Sequence, residues 1–244
     1  MQEWARALRQ RPDQPTVLAE SARSLVQGGH PQSAIPLARQ AIQTAPNNII
    51  AYEALGDAYL AKDWIHEAAV AYQSAANGAP RQREIYKERL ALAAAKRQKN
   101  PPKAWQHVLA ARSAASLEQT ITELKNALDD NPEQIESLRM LLELSYRQGQ
   151  PEVALDYAKR LLALLPDDST ANLFTALIFL REPLTEGRVT QLNLLLDKAE
   201  ASGGATSTLL YARGLFALQQ KRPTDAKTYL LKSAQLDSRA TAVF

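Results

Sequence analysis

The sequence predicts an all-α protein of repeated units, about 13–14 helices in all, and three observations carry that prediction. Ala, Leu, Gln, Arg and Glu dominate the 244 residues, β-branched residues are sparse and only 9 glycines occur, a composition that favours helix over strand. Pro12, Pro46 and Pro80 fall 34 residues apart, and Pro132 and Pro166 repeat the interval, so units of one length are being punctuated. Proline cannot continue a helix and biases the residue before it away from helical geometry, so each closes the last helix of a unit. A second series, Pro31, Pro151 and Pro223, recurs at one phase of the same period and suits the first turn of a helix, where a missing N–H costs nothing.

Residues 47–80, NNIIAYEALGDAYLAKDWIHEAAVAYQSAANGAP, show the unit most fully. Gly56 and Ala68 lack bulk where two helix backbones approach, while Tyr52, Tyr59 and Tyr72 fill the space around them, with Leu55, Ala75 and Pro80 completing the set. This pattern resembles the tetratricopeptide repeat at every signature position, and the resemblance extends over nearly the whole chain. It implies a right-handed α-solenoid in which each 34-residue unit is a helix, a turn and an antiparallel helix.

Taken in order, the chain opens on residues 1–12. Trp4 and Ala7 precede Pro12 as Tyr72 and Ala75 precede Pro80, so a second helix without its first is expected, with Met1 heading a fragment of a longer protein. Units follow at 15–48 (Leu18, Ala22, Leu25, Ala34, Ala38, Ala41) and 49–82, with Gly29 at the turn of the former. Pro80 to Pro132 is 52 residues, one repeat plus 18, which leaves 83–101 as an extra basic helix before a divergent unit at 102–134. Whether residues 102–128 form two helices or one long bent helix stays open, since ARSAAS holds no strong breaker. A good unit occupies 135–168 (Leu138, Leu141, Gly149, Ala154, Ala158), and 169–206 is a divergent unit whose turn is lengthened by REPLTEGR. The last, at 207–240, keeps Gly214 and Ala226 twelve residues apart, as Gly56 and Ala68 are. No polar capping helix is evident at 236–244, so further repeats of the parent protein or self-association would cover the ends.

Groups that could do chemistry do not converge. His30, His66 and His107 lie in different units at unrelated positions and read as surface or turn residues, without the spacing of a zinc helix. GGATS at 203–207 lacks the strand and lysine of a phosphate loop and reads as a turn with a helix cap. Asp129-Asp130 and Asp167-Asp168 flank repeat prolines, where acids cap the next helix. No enzyme, cofactor or metal is expected. With no cysteine, disulfides and thiolate sites are excluded, and the compartment reads as bacterial periplasm or cytoplasm. No apolar run is long enough to span a bilayer.

A net charge of +3 makes nucleic acid an unlikely partner. The charge is uneven, however. Residues 81–115 hold nine basic residues (Arg81, Arg83, Lys87, Arg89, Lys96, Arg97, Lys99, Lys103 and Arg112) against Glu84 and Glu88, a local +7 that offers an alternative role in binding a polyanion or an anionic surface.

The resemblance implies a concave groove lined by first helices. On that basis Arg23, Glu53, Asp57 and Leu60 face it from the early units, and Glu136, Arg139, Glu143 and Tyr146 from the unit at 135. The lysine and asparagine clamp that some members use for chaperone tails is missing. In the helix starting at Ser169 apolar residues circle the axis, so Leu173, Leu177 and Leu180 add an apolar strip that Tyr211, Leu215 and Leu218 continue. The expectation is a non-enzymatic scaffold that binds a partner protein or peptide through this surface. The resemblance further points to a larger assembly such as bacterial secretion or exopolysaccharide export.

Overall fold

The computed structural model describes residue 6 and residues 9–99 and 101–236. Among them are thirteen α-helices and no strand. The expected helix at 1–12, with Trp4 and Ala7, and the last residues of the unit at 207–240 fall largely outside the described residues. The chain forms two compact units that divide between Pro101 and Pro102.

The first unit contains α1 (Pro15–Gln27), α2 (Pro31–Thr44), α3 (Ile49–Ala61), α4 (Ile65–Gly78), a 3-10 turn (Pro80–Gln82) and α5 (Arg83–Lys99). The second contains α6 (Lys103–Ser113), α7 (Leu117–Asp130), α8 (Ile135–Arg147), α9 (Pro151–Leu164), α10 (Ser169–Phe179), α11 (Glu186–Gly203), α12 (Ser207–Gln219) and α13 (Pro223–Leu236). Within each unit the helices pack as antiparallel neighbours in chain order, the stacking of an α-solenoid.

Two local devices recur. At four turns one residue takes the left-handed backbone: Gly29 (φ 80°), Asp63 (φ 61°), Gly149 (φ 72°) and Lys221 (φ 58°). At each, the next N–H reaches back five residues: His30 to Leu25, Trp64 to Tyr59, Gln150 to Ser145 and Arg222 to Ala217, at 2.8–2.9 Å. This closure satisfies a carbonyl that the helix end would leave orphaned. The second device is the proline turn. Ala45, Ala79, Asn131 and Leu165, each before a repeat proline, are held near φ −131 to −146°. Their carbonyls accept from the N–H three residues on, at 2.9–3.0 Å.

Small residues let the rods nest. Ala19, Ala22, Ala34, Ala38, Ala41, Ala51 and Ala58 are fully buried in the first unit, and Tyr72 fills the space beside Gly56. The α6–α7 region is two helices rather than one bent rod. Ala114 is extended (ψ 141°), and the Ser116 hydroxyl accepts from the Gln119 N–H, which starts α7 afresh. Between α10 and α11 the connection runs from 180 to 185, pinned by Gln219, whose side-chain amide donates to the Leu180 carbonyl at 2.6 Å.

Candidate binding cleft

In the first unit the charged first-helix positions are satisfied within the molecule. Glu53 accepts from the Tyr86 hydroxyl at 2.5 Å and from Arg23 at 3.2 Å. Asp57 accepts from the Tyr72 hydroxyl at 2.5 Å and from Arg89 at 2.6 Å. The rings of Tyr72 and Tyr86 stack, 5.0 Å apart and 4° from parallel. Burial pushes both phenols well above the usual tyrosine range, and their bonds to carboxylates push further the same way. α5 thus packs on α4 while its Tyr86 and Arg89 reach α3. Tyr86 stands one repeat length after Tyr52, which is the interval a further first helix would have. Leu60 is half-buried.

The basic run at 81–115 is distributed in the same way. Arg89 pairs with Asp57, Arg97 with Asp63, Lys87 with Glu84, Lys103 with Asp130 and Arg112 with Glu136. Arg81, Arg83, Lys96 and Lys99 remain exposed on the first unit. Apart from Lys87, whose partner lies on the same helix, the paired charges are answered by acids outside residues 81–115.

The second unit brings another group together. Glu143, Tyr146, Leu173, Leu177 and Tyr211, all expected on the groove, line one cleft of about 360 Å³ with Phe174, Leu209, Arg147, Ser169, Thr170, Thr206 and Thr208. The walls are the end of α8, α10 from Ser169 to Leu177 and the start of α12; Gly203 and Gly204, at the end of α11, close one side. Gly203 is required there, since a Cβ would come within 2.7 Å of that of Ser169. Tyr146 meets Phe174 edge to face at 5.2 Å, and the Arg181 guanidinium lies 4.8 Å over the Tyr146 ring. The floor is anchored by a core cluster including Leu177, Leu192, Leu196, Leu209 and Phe216. Phe174 and Leu209 are lining residues that the sequence reading did not single out. Phe174 lies on the helix already read as apolar all round, but Leu209 carried no separate signal.

Not every expected groove residue reaches the cleft. Arg139 is bound to Asp168, donating from Nε at 2.8 Å and from Nη2 at 2.5 Å. The Asp168 side chain is 1% exposed and also caps α10 by accepting from the Ala171 N–H at 2.8 Å. Leu180 is buried in the core because the chain leaves α10 there, and so offers no surface. Leu215 packs half-buried against the same cluster, and Leu218 is exposed outside the cleft.

Two further expectations need correction. His107 is no simple surface residue. It is half-buried between α6 and α7, with Nδ1 2.6 Å from Glu123 and Nε2 3.3 Å from Asp130. Asp130 accordingly does not cap the next helix; Gln134 does, accepting from the Glu136 N–H. At 203–207 Thr206 caps α12, accepting from the Leu209 N–H. Among the described residues no cluster of His, Asp or Glu could hold a metal, and no helix is long and apolar enough to cross a membrane.

Comparison with known proteins agrees with the helix-pair architecture. Residues 19–84 and 139–189 match the model of the family described as tetratricopeptide repeat. No curated protein matches the chain. Among solved structures the chain is similar to PilW, a widely conserved type IV pilus biogenesis factor, at 16% identity over 91% of this chain and 92% of that one, with a TM-score of 0.41. It is also similar to pilF of Pseudomonas aeruginosa (18% identity, 94% of each chain, TM-score 0.39). A third is YrrB, a repeat protein with an unusual peptide-binding site (14% identity, 97% of this chain and 93% of that one, TM-score 0.37). At such identities and TM-scores these likenesses say nothing about partner or site.

Proposed function

We propose, from the premise that residues 19–84 and 139–189 of this chain are tetratricopeptide repeats, that the protein is a non-enzymatic scaffold holding a segment of a partner protein in the cleft of α8, α10 and α12. The observation that carries this reading is the convergence of Tyr146, Phe174, Tyr211, Leu173 and Leu177 on one open cleft. Stacked helix pairs offer surface rather than an enclosed chamber, and apolar surface left in water is the usual footprint of a bound segment. The volume of about 360 Å³ suits one or two anchoring side chains of a peptide rather than a folded domain. The narrower role, in bacterial secretion or exopolysaccharide export, rests on the resemblance of the repeat motifs alone.

Panning the whole chain against a displayed library of random peptides tests the proposal. Binders should be lost on Leu173→Glu, which places a charge in the cleft, and kept on Leu194→Glu, whose side chain is exposed on α11 away from it. Binders indifferent to Leu173→Glu would contradict it.

A further inference from the structure

The connection between α10 and α11 places a further charge beside the cleft, whose lining already includes Glu143 and Arg147 of α8. Arg181 projects from residues 180–185 and lies over the ring of Tyr146, which lines the cleft and meets Phe174. That position is braced. The Leu180 carbonyl is held by Gln219 of α12 at 2.6 Å, and the Arg181 N–H donates to Ile178 at 3.1 Å. The neighbouring acid is already used, since Glu182 pairs with Arg188 at 2.5 Å, and Arg188 in turn lies 4.2 Å over Phe179.

The other charges on this face are answered as well. Glu143 pairs with Arg147 at 2.6 Å, Arg139 with Asp168, and Glu136 with Arg112. Arg181 forms no ion pair with any described residue and is exposed. A guanidinium spread on an aromatic face keeps its N–H edges free to meet a planar carboxylate, and its pose is fixed before the partner arrives.

We infer that Arg181 is a specificity-determining residue: the cleft takes a peptide segment whose aromatic or aliphatic anchor sits beside an acidic residue, the anchor filling the Tyr146–Phe174–Leu177 floor and the acid meeting Arg181. This rests on the proposed binding cleft and adds the chemical class of its occupant.

The test uses the panning experiment with three versions of the whole chain: wild type, Arg181→Glu and Arg181→Lys. Arg181 is exposed, so circular dichroism and melting should match wild type for both variants. On the wild type, Leu173-dependent binders should be enriched in Asp or Glu next to an apolar anchor. On Arg181→Glu the acids should give way to Lys or Arg, and Arg181→Lys should keep the acidic preference. A fluorescein-labelled wild-type binder should bind Arg181→Glu about tenfold more weakly. If Leu173-dependent binders show no acidic bias, or Arg181→Glu selects the same set, the inference fails and the cleft stands. If no binder depends on Leu173, the cleft fails with it.

Discussion

The Tyr72 ring stands 2.5 Å from the point that a Cβ on Gly56 would occupy, so the two residues, on α3 and α4, are cut to fit each other. Tyr72 has little room to yield: it is 1% exposed, its ring stacks on Tyr86 and its hydroxyl is bound to Asp57. Gly56→Ala should therefore cost about 1–3 kcal/mol, the usual scale of overpacking. A urea titration would show it as a lower midpoint at unchanged slope. In a Tyr72→Ala background, itself about 3–5 kcal/mol less stable, the same Gly56→Ala change should be neutral or mildly favourable, because alanine is the better helix former. Simple additivity would mean that the two do not meet.

Arg139 and Asp168 form a charge pair of the second unit whose carboxylate is buried. Arg139→Met leaves the Asp168 carboxylate buried with its charge unanswered and should cost about 3–5 kcal/mol. Adding Asp168→Asn should recover part of that loss, since asparagine can still cap α10. A double variant as unstable as the sum of the singles would contradict the assignment.

Asp63 predicts a pH dependence of definite sign. Burial raises its carboxyl above the usual aspartate range, and the opposing pull of Arg97 does not cancel the rise. An acid raised on folding favours the folded state most below its unfolded pKa, and that advantage is lost as pH climbs through the folded value. Asp63→Asn removes the penalty and tolerates the left-handed backbone at φ 61°. The variant should be more stable than wild type at pH 7, and the gap should close as pH falls below about 4. A gap that widens on acidification would reverse the account.

Lys221 carries a left-handed backbone, φ 58°, with no glycine to ease it. Lys221→Gly should stabilise by about 0.5–1 kcal/mol, the strain relief net of glycine's entropy. Lys221→Ala should give no such gain, which separates backbone strain from loss of charge. Thermal melts of the three chains decide it.

Much of this architecture could be read from residue types whose backbone needs are absolute. The repeat prolines marked the closing turns, and Gly29 and Gly149 marked two left-handed positions. Asp63 and Lys221 hold the same conformation but hid it, because their side chains only tolerate what glycine prefers. The break before α7 was also present, as Ser116 three residues ahead of Gln119, a capping spacing that outweighs the helical leaning of the alanines around it. Apolar cleft residues were more legible than charged ones. Leu173, Leu177 and Tyr211 lie on helices whose apolar character the sequence shows directly, whereas the fate of Glu53 and Asp57 depended on Tyr86 and Arg89 some thirty residues away. Spacing within one repeat cannot reveal such an answering charge on the next helix.

The central claim is that α8, α10 and α12 of the second unit hold a partner segment. Hydrogen exchange of the whole chain, with and without a peptide recovered by panning, tests it most directly. The account predicts slowed exchange at residues 143–147, 169–177 and 206–211, the stretches that line the cleft. Slowing confined to α5, or to the exposed side of α11, would contradict it.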